Sequence, residues 1–344
     1  MKRSQTTYII FGASGDLARR YLLPAIRNMQ HMNYSGAIIP VSRKDYGNLK
    51  NLIKEGGEKI FHLAIPSEGV LDAVEIISTN FGKENKSNVK IMLEKPFGKD
   101  LKSAQDLVEH IDKYFSEEQI YRVDHYLTKE SLQNVMTEKW DRNNVASIEI
   151  IASEKIDIES RVNFYEQTGA LKDFVQSHLL EMAASVLAGS FVTVRRHEAL
   201  KNLEIVCDIN KNECVKRGQY AGYREEVNNP GSMTETFVSI NLVSNDPAWR
   251  GVRIVLSTGK ALSEKLTQIK IKYKNGTEKI FNIKHEPEAY ERVISATMSG
   301  NHDLFISSGE VLESWRILDA IEQTWKNRTD DLIIYPKGSD ISTI

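Results

Sequence analysis

Two segments of this chain gather residues that can move protons or grip anions. Arg122-Val123-Asp124-His125-Tyr126-Leu127-Thr128-Lys129-Glu130 sets a carboxylate, an imidazole, a phenol and an ammonium close together. It follows Ile120 to Val123, an apolar run that reads as a strand, and open parallel sheets carry ligand sites at the carboxyl ends of their strands. If a helix starts near His125, then His125 and Lys129 are i,i+4 neighbours on one face. Two cationic donors beside exposed N–H groups suit a phosphate dianion. A surface helix start with a routine charge pair fits the same spacing. The second segment carries Asp173 and His178, five residues apart on one predicted helix. At ~100° per residue they stand roughly 140° apart around an α-helix, so they are not expected to stack on one face. A histidine in an apolar helix is more often a satisfied core residue than a base, and spacing alone does not single out His178.

A glycine turn supplies a third candidate. Gly12-Ala13-Ser14-Gly15-Asp16-Leu17-Ala18 follows the first apolar run, Tyr8 to Phe11, and opens a helix-like stretch. It fits G-x-x-G-x-x-A, a relative of the dinucleotide fingerprint. The first glycine makes the tight turn, the second lets a pyrophosphate approach the backbone, and the helix N-terminus attracts the phosphates. This assigns Gly12, Ser14, Gly15, Asp16 and Leu17 to cofactor binding. The next strand runs into Ser42-Arg43-Lys44, with Asp45 only afterwards. An acidic residue at that strand end grips ribose hydroxyls in NAD sites; two cations favour a 2′-phosphate, hence NADP, with NAD as the alternative. Glu94-Lys95-Pro96-Phe97-Gly98 closes a further strand. Lys95 there could polarise a substrate hydroxyl or orient a nicotinamide, and Pro96 is a candidate for a cis bond. A Lys-Pro pair also commonly does no more than end a strand.

The elements that must position these residues alternate. Strand-like runs at Tyr8–Phe11, Ala37–Val41, Ile60–Ile65, Val89–Leu93 and Ile120–Val123 are separated by helical patterns at Leu17–Met29, Leu71–Ile77 and Ala104–Tyr114, the first kinked or split by Pro24. Repeated βα units predict an α/β fold, a doubly wound Rossmann-type parallel sheet over residues 1–125. After that come a strand at Ser147–Ala152, a long helix at Gly169–Leu187, and strands at Thr234–Val243, Val252–Leu256, Ile269–Tyr273 and Lys279–Ile283. An Asn275-Gly276 turn and a last helix at Gly309–Trp325 complete the pattern. Residues 126–344 therefore read as an α+β domain with a large, mostly antiparallel sheet.

Composition narrows the classes. In 344 residues, 45 Lys plus Arg oppose 47 Asp plus Glu, a formal charge of −2, which argues against a dedicated nucleic-acid binder. The chain is too apolar to be disordered, with 41% hydrophobic residues. No stretch approaches the ~20 apolar residues that span a bilayer, and the run after Lys2-Arg3 is too short for a signal peptide. A cytoplasmic protein without membrane contact is expected. Cys207 and Cys214 form no C-x-x-C and read as two reduced thiols. His31, His62, His110, His197, His285 and His302 form no H-x-H or H-E-x-x-H pattern, so no metal site is expected.

Taken together, the segments resemble glucose-6-phosphate dehydrogenases. GASGDLARRYLLPAIRNM, EKPFGKDLKSAQDL, EEQIYRVDHYLTKE, TGALKDFVQSHLLEM, RGQYAGYREE with TETFVSINL, STGKALSEK, and EAYERVISATMSGNHDLF with SWRILDAI occur in family order. The resemblance implies roles that spacing could not assign. His178 would be the general base that takes the C1 hydroxyl proton as hydride leaves for nicotinamide, and Asp124 its carboxylate partner. His125, Tyr126, Lys129 and Lys265 would bind the phosphate, Glu154 and Asp173 the sugar hydroxyls, and Lys95 and Lys260 further parts of the substrate. Arg43 would meet the NADP 2′-phosphate. A homodimer formed through the second sheet, and a place in carbohydrate metabolism at the pentose phosphate pathway, are implied as well.

The chain departs from the family pattern at several places. The segment between Tyr46 and Ile60 and the region after Val194 are shortened. Tyr21 stands where a lysine is usual, Ser177 for asparagine, Ser257 for arginine and Asn163 for glycine. The leading expectation is NADP-dependent oxidation of glucose 6-phosphate at C1. The first alternative is an enzyme of the same build acting on another hexose 6-phosphate, an amino or N-acetylamino sugar, with hydride borrowed transiently for dehydration or epimerisation. The second is a non-catalytic sensor of NADP(H) or sugar phosphate.

Overall fold

Short runs of β-branched and aromatic residues that can be buried on both faces favour parallel strands, and the chain begins with five of them. The computed structural model describes residues 6–31, 36–53, 56–82, 88–138, 141–159, 161–205, 214–284, 289–326 and 328–344. In chain order the strands are β1 (Thr7–Phe11), β2 (Ile38–Val41), β3 (Lys59–Leu63), β4 (Val89–Leu93), β5 (Ile120–Val123), β6 (Val145–Ser153), β7 (Leu203–Glu204), β8 (Val215–Tyr220), β9 (Phe237–Ser244), β10 (Arg253–Gly259), β11 (Leu266–Tyr273), β12 (Glu278–Asn282), β13 (Phe305–Ile306) and β14 (Leu332–Tyr335). The chain divides into two compact units, residues 1–128 with 286–308, and residues 129–285 with 309–344.

In the first unit the strand order is β13-β5-β4-β3-β1-β2, parallel except for β13. The chain leaves β1 for β2 on one side and crosses back to β3 on the other. The switch point, where doubly wound sheets bind ligands, therefore lies at β1 and β3. One face buries Tyr8, Ile10, Ile60, Met92 and Tyr121 beneath Leu22 and Ile26, from the helical stretch after β1, and beneath Val293 and Ile294. Each such side chain contributes on the order of 2 kcal/mol by leaving water.

Val293 and Ile294 belong to the helix Ala289–Ser299, which returns to the first unit from far along the chain. A single cut after residue 125 therefore does not describe the division. The returning helix has an apolar face for the sheet, and β13 adds an antiparallel edge to β5. No Pro- or Gly-rich linker in the sequence marks the three crossings between the units.

The second unit holds an eight-stranded sheet in the order β12-β11-β6-β10-β9-β8-β14, with β7 beside β9. It is mostly antiparallel, with β6–β10 and β8–β14 running parallel. Alternation sets its faces: in β9, Val238, Ile240 and Leu242 are buried while Ser239, Asn241 and Val243 are only partly so. β11 turns into β12 at Asn275-Gly276, with Gly276 at φ +84°.

The long helix expected over Gly169–Leu187 is present, but it follows a break at Gly169 and its first half is not wound as an α-helix. Val162–Ala170 contains Gly169 at φ +61°, Leu171–Leu179 is a π-helix, and Leu180–Ala188 is α-helical. Among the described residues no single helix is long and apolar enough to cross a membrane; one pair, Val162–Ala188 with Thr193–Lys201, reaches that length but is bent by 104°. Cys214 is disulfide-bonded, against the expectation of a free thiol; a disulfide needs no C-x-x-C spacing, so the lack of that motif could not exclude one. Cys207 and His285 lie outside the described residues.

Candidate active site

At the carboxyl ends of the first sheet, Gly12 makes the turn after β1 at φ +82°. A β-carbon there would sit 2.2 Å from the Ala64 carbonyl oxygen, so only glycine fits between β1 and the end of β3. The Gly15 amide donates to the Gly12 carbonyl at 2.8 Å, and the Arg19 amide to Gly15 at 3.1 Å, which starts the helical stretch. Ser14 and Asp16 are exposed on this turn, with Leu17 half-buried. The side-chain-free cradle at the switch point fits a dinucleotide pyrophosphate. Arg43 is exposed at the end of β2. Asp45 is turned back onto its own loop, accepting from the Ser42 amide at 2.8 Å and the Ser42 hydroxyl at 2.6 Å. Those two bonds hold its carboxyl below the usual range. This leaves the cations Arg43 and Lys44, both exposed, as the charges presented at that strand end.

Lys95 follows β4, and its bond to Pro96 is cis. The preceding Glu94 is held by residues that sequence spacing gave no reason to select. His62 Nε2 donates to one Glu94 carboxylate oxygen at 2.7 Å, the Tyr8 hydroxyl donates to His62 Nδ1 at 2.5 Å, and the Tyr290 hydroxyl donates to the other Glu94 oxygen at 3.3 Å. Tyr21, at the position where the family carries a lysine, lies with its ring centroid 5.7 Å from that of Tyr290. Asp124, His125 and Tyr126 follow β5. One Asp124 carboxylate oxygen accepts the Tyr126 amide at 2.9 Å, and the Asp124 carbonyl accepts the Leu127 amide at 3.1 Å, closing a turn. The condition that would make His125 and Lys129 helical neighbours is not met: the helix begins at Glu130, with Lys129 as its buried N-cap residue. The capping carboxylate of Asp124 favours a tight turn over helix entry.

In the second unit, β6 and β10 are parallel with Ser153 opposite Gly259. That register puts the next residues, Glu154 and Lys260, side by side, and they form an ion pair. Lys260 is 2% exposed; its ammonium lies 5.2 Å from the centre of the Tyr165 ring. The Tyr335 hydroxyl donates to the Lys260 carbonyl at 2.8 Å. Burial, with the nearby carboxylates of Asp173, Glu235 and Glu154, pushes the Tyr165 phenol well above its usual range. Tyr165 thus joins the candidates Glu154, Lys260 and Asp173, although nothing in its spacing pointed to it. Lys265 is exposed just before β11, and the antiparallel pairing of Leu266 with Ser153 puts it next to Glu154 along the ladder.

Asp173 and His178 both lie in the π-helix Leu171–Leu179. The expectation that they face different ways assumed an α-helix. In a π-helix the hydrogen bond runs from i to i+5, so residues five apart sit one turn above each other. The widened turn brings the two onto neighbouring directions. His178 is 2% exposed, with the Phe174 ring edge-on at 5.0 Å.

The profile of the glucose-6-phosphate dehydrogenase C-terminal domain matches residues 131–287 and 282–342, and that of the family's NAD binding domain matches residues 30–134. The glucose-6-phosphate 1-dehydrogenase of Chlamydia muridarum is 26% identical, over 92% of this chain and 90% of its own length. Isoform 5 of Arabidopsis thaliana, named cytoplasmic, is 30% identical over 84% of this chain and 68% of its own. The crystal structure of the Mycobacterium avium glucose-6-phosphate 1-dehydrogenase superposes with a TM-score of 0.84 at 23% identity, covering 98% and 95% of the two chains. The protein is thus an oxidoreductase built on a nucleotide-binding sheet and a second, mostly antiparallel one. It belongs to the glucose-6-phosphate dehydrogenase family. The Chlamydia alignment runs over 455 positions, more than the 344 residues here, so that relative has segments this chain lacks.

Proposed function

We propose that this protein oxidises a hexose 6-phosphate, glucose 6-phosphate first, at C1 with NADP. The carrying observation is the group of half-buried Glu154 with buried Lys260 and Tyr165 beside a π-helix that bears Asp173 and His178. A sugar needs paired donors and acceptors in a dry setting, and the reaction needs a base. His178 takes the C1 hydroxyl proton on a ring nitrogen as the C1–H bond breaks, leaving the 6-phosphoglucono-lactone. Asp124 is its carboxylate partner and favours the imidazolium that results. Glu154, Asp173 and Lys260 orient the sugar. His125, Tyr126, Lys129 and Lys265 hold the phosphate, whose binding energy goes into placing C1. Nicotinamide, when bound, accepts the hydride. Gly12, Ser14, Gly15, Asp16 and Leu17 hold the pyrophosphate, Lys95 borders substrate and nicotinamide, and Arg43 meets the 2′-phosphate. The outward role of Arg43 and the inward one of Asp45 support NADP over NAD.

A second substrate remains in view because of Tyr21. Where a lysine would extend a charge, an aromatic pair with Tyr290 stands above Glu94. That change replaces an ammonium with an uncharged aromatic face, which suits the neutral acetamido group of an N-acetylamino hexose 6-phosphate. Ser257 gives no such support, because its hydroxyl pairs with that of Ser239 across β9 and β10 at 2.9 Å. We also infer a homodimer and, from the naming of the Arabidopsis relatives, a cytoplasmic location.

Protein mixed with NADP and each sugar phosphate in turn, followed by near-ultraviolet absorbance, tests the reading. Continuing NADPH release with glucose 6-phosphate is the expected result. Silence with glucose 6-phosphate, and product from glucosamine 6-phosphate or its N-acetyl form, would transfer the assignment to the second substrate.

A further inference from the structure

Glu235 is a carboxylate that the reaction above does not use. It precedes β9 in Thr234-Glu235-Thr236-Phe237, is 8% exposed, and reaches the start of the π-helix from another part of the unit. Its carboxylate Oε1 accepts the Leu171 amide at 2.9 Å, and its backbone carbonyl accepts the Ala170 amide at 2.9 Å. Gly169, at φ +61°, lies so close beneath that an added β-carbon would stand 2.2 Å from the same Oε1. The break in the helix and the two amides exposed by it are thus both accounted for by one residue. Buried amides at a helix start need acceptors, and here the carboxylate supplies one while blocking any side chain at position 169.

We propose that Glu235 is a positioning residue for proton abstraction: by holding the Leu171 amide across the break at Gly169, it sets the start of the π-helix and so the placement of Asp173 and His178. The proposal rests on His178 as the base.

Ionisation of Glu235 gives this contact a pH dependence. An ionised carboxylate is the stronger acceptor for an amide. Burial pushes the Glu235 carboxyl up to about 7, opposed by the Leu171 amide, its own amide, Arg217 and Lys172. Those two cations have nearer partners, Arg217 in Asp331 at 2.5 Å and Lys172 in Glu322 at 2.6 Å. The other titratable groups facing it are the phenols of Tyr165 and Tyr223, both held neutral at this pH by burial. Glu235 also lines a solvent-open cleft of about 240 Å³ with Glu166, Thr168, Lys172 and Trp325, which gives it a path for protons.

Full-length protein labelled with ¹³C-histidine tests this, with the His178 ring signals assigned by their loss in His178→Asn. Across the neutral range the wild-type His178 signals should show an inflection from Glu235 besides any of their own. Glu235→Gln, which keeps an acceptor oxygen but cannot ionise, should remove that inflection. It should also lower kcat by about tenfold at mildly alkaline pH, as a small misplacement of a catalytic group does, with KM for NADP within about twofold. A purely structural role moves the unfolding midpoint and leaves the His178 titration alone. Superimposable titrations in the two proteins, or a wild-type curve lacking the second inflection, would overturn the proposal, the latter without any variant having to fold. Absence of sugar-phosphate turnover in the wild type would instead sink the assignment of His178 as base, while the titration still judges whether Glu235 and His178 are coupled.

Discussion

At the scale of single residues, the clearest expectation concerns His178. Replacing it by alanine should lower kcat by roughly 10²–10⁴-fold, the usual worth of a positioned base, with cofactor binding by fluorescence nearly unchanged. A variant retaining a tenth of the activity would remove His178 from that role. Lys129→Ala should raise KM for the sugar phosphate and spare that for NADP; equal KM values would take Lys129 out of the phosphate site. Glu235 carries a stability prediction of its own. Its carboxyl ionises near 4.5 in an unfolded chain and near 7 when buried here. Between those values the native state keeps a proton that the unfolded chain has lost, so stability falls as pH rises through that window. The penalty is complete above it, on the order of 3 kcal/mol. Glu235→Gln has no such penalty, and its unfolding midpoint should gain on the wild type as pH rises from about 5 to about 8. A difference that does not change with pH would contradict the raised value. Neither Glu235 nor Tyr165 was legible in the sequence, because burial and proximity to distant carboxylates leave no local pattern. Gly12 was, because its positive φ belongs to a local turn motif, although the close approach of Ala64 that also demands glycine there was not.

At the scale of elements, what was legible depended on whether hydrophobic period or polar partnership defines the segment. β1, β3 and β4 are continuous apolar runs and stood out. β8 did not: Arg217, Gly218 and Gln219 are buried in its middle, and Arg217 is held there by Asp331, by the Arg328 carbonyl at 2.8 Å and by the Trp325 ring, whose centre lies 4.9 Å away. The π-helix was hidden for a related reason, since widening by one residue per turn follows from contacts at its start and not from its composition. Gly169→Ala combines a left-handed φ with a clash against Glu235, and should lower stability by roughly 1–3 kcal/mol, read in denaturant unfolding. A wild-type midpoint in that variant would mean the break has room to spare. The helices Leu180–Ala188, Thr193–Lys201 and Ser308–Trp325 are tied by Arg196, fully buried, 2.8 Å from Glu310 and 3.6 Å from Glu181. Glu310→Ala strands that cation and should lose about 3–5 kcal/mol; a smaller loss would show that Glu181 alone suffices.

At the scale of the whole molecule, sedimentation of the full chain at micromolar concentration should give twice the chain mass, and a single-chain mass there would remove the homodimer. The returning segment 286–308 has a different consequence, one that concerns synthesis. The core of the nucleotide-binding unit is missing Tyr290, Val293, Ile294 and Phe305 until translation has passed them. At ~5–20 residues per second, a ribosome takes roughly 8–30 s to travel from residue 128 to the returning helix. For that interval the part of the sheet face that Val293 and Ile294 will cover stays open beside Leu22 and Ile26, an apolar surface of the kind that chaperones at the tunnel exit bind.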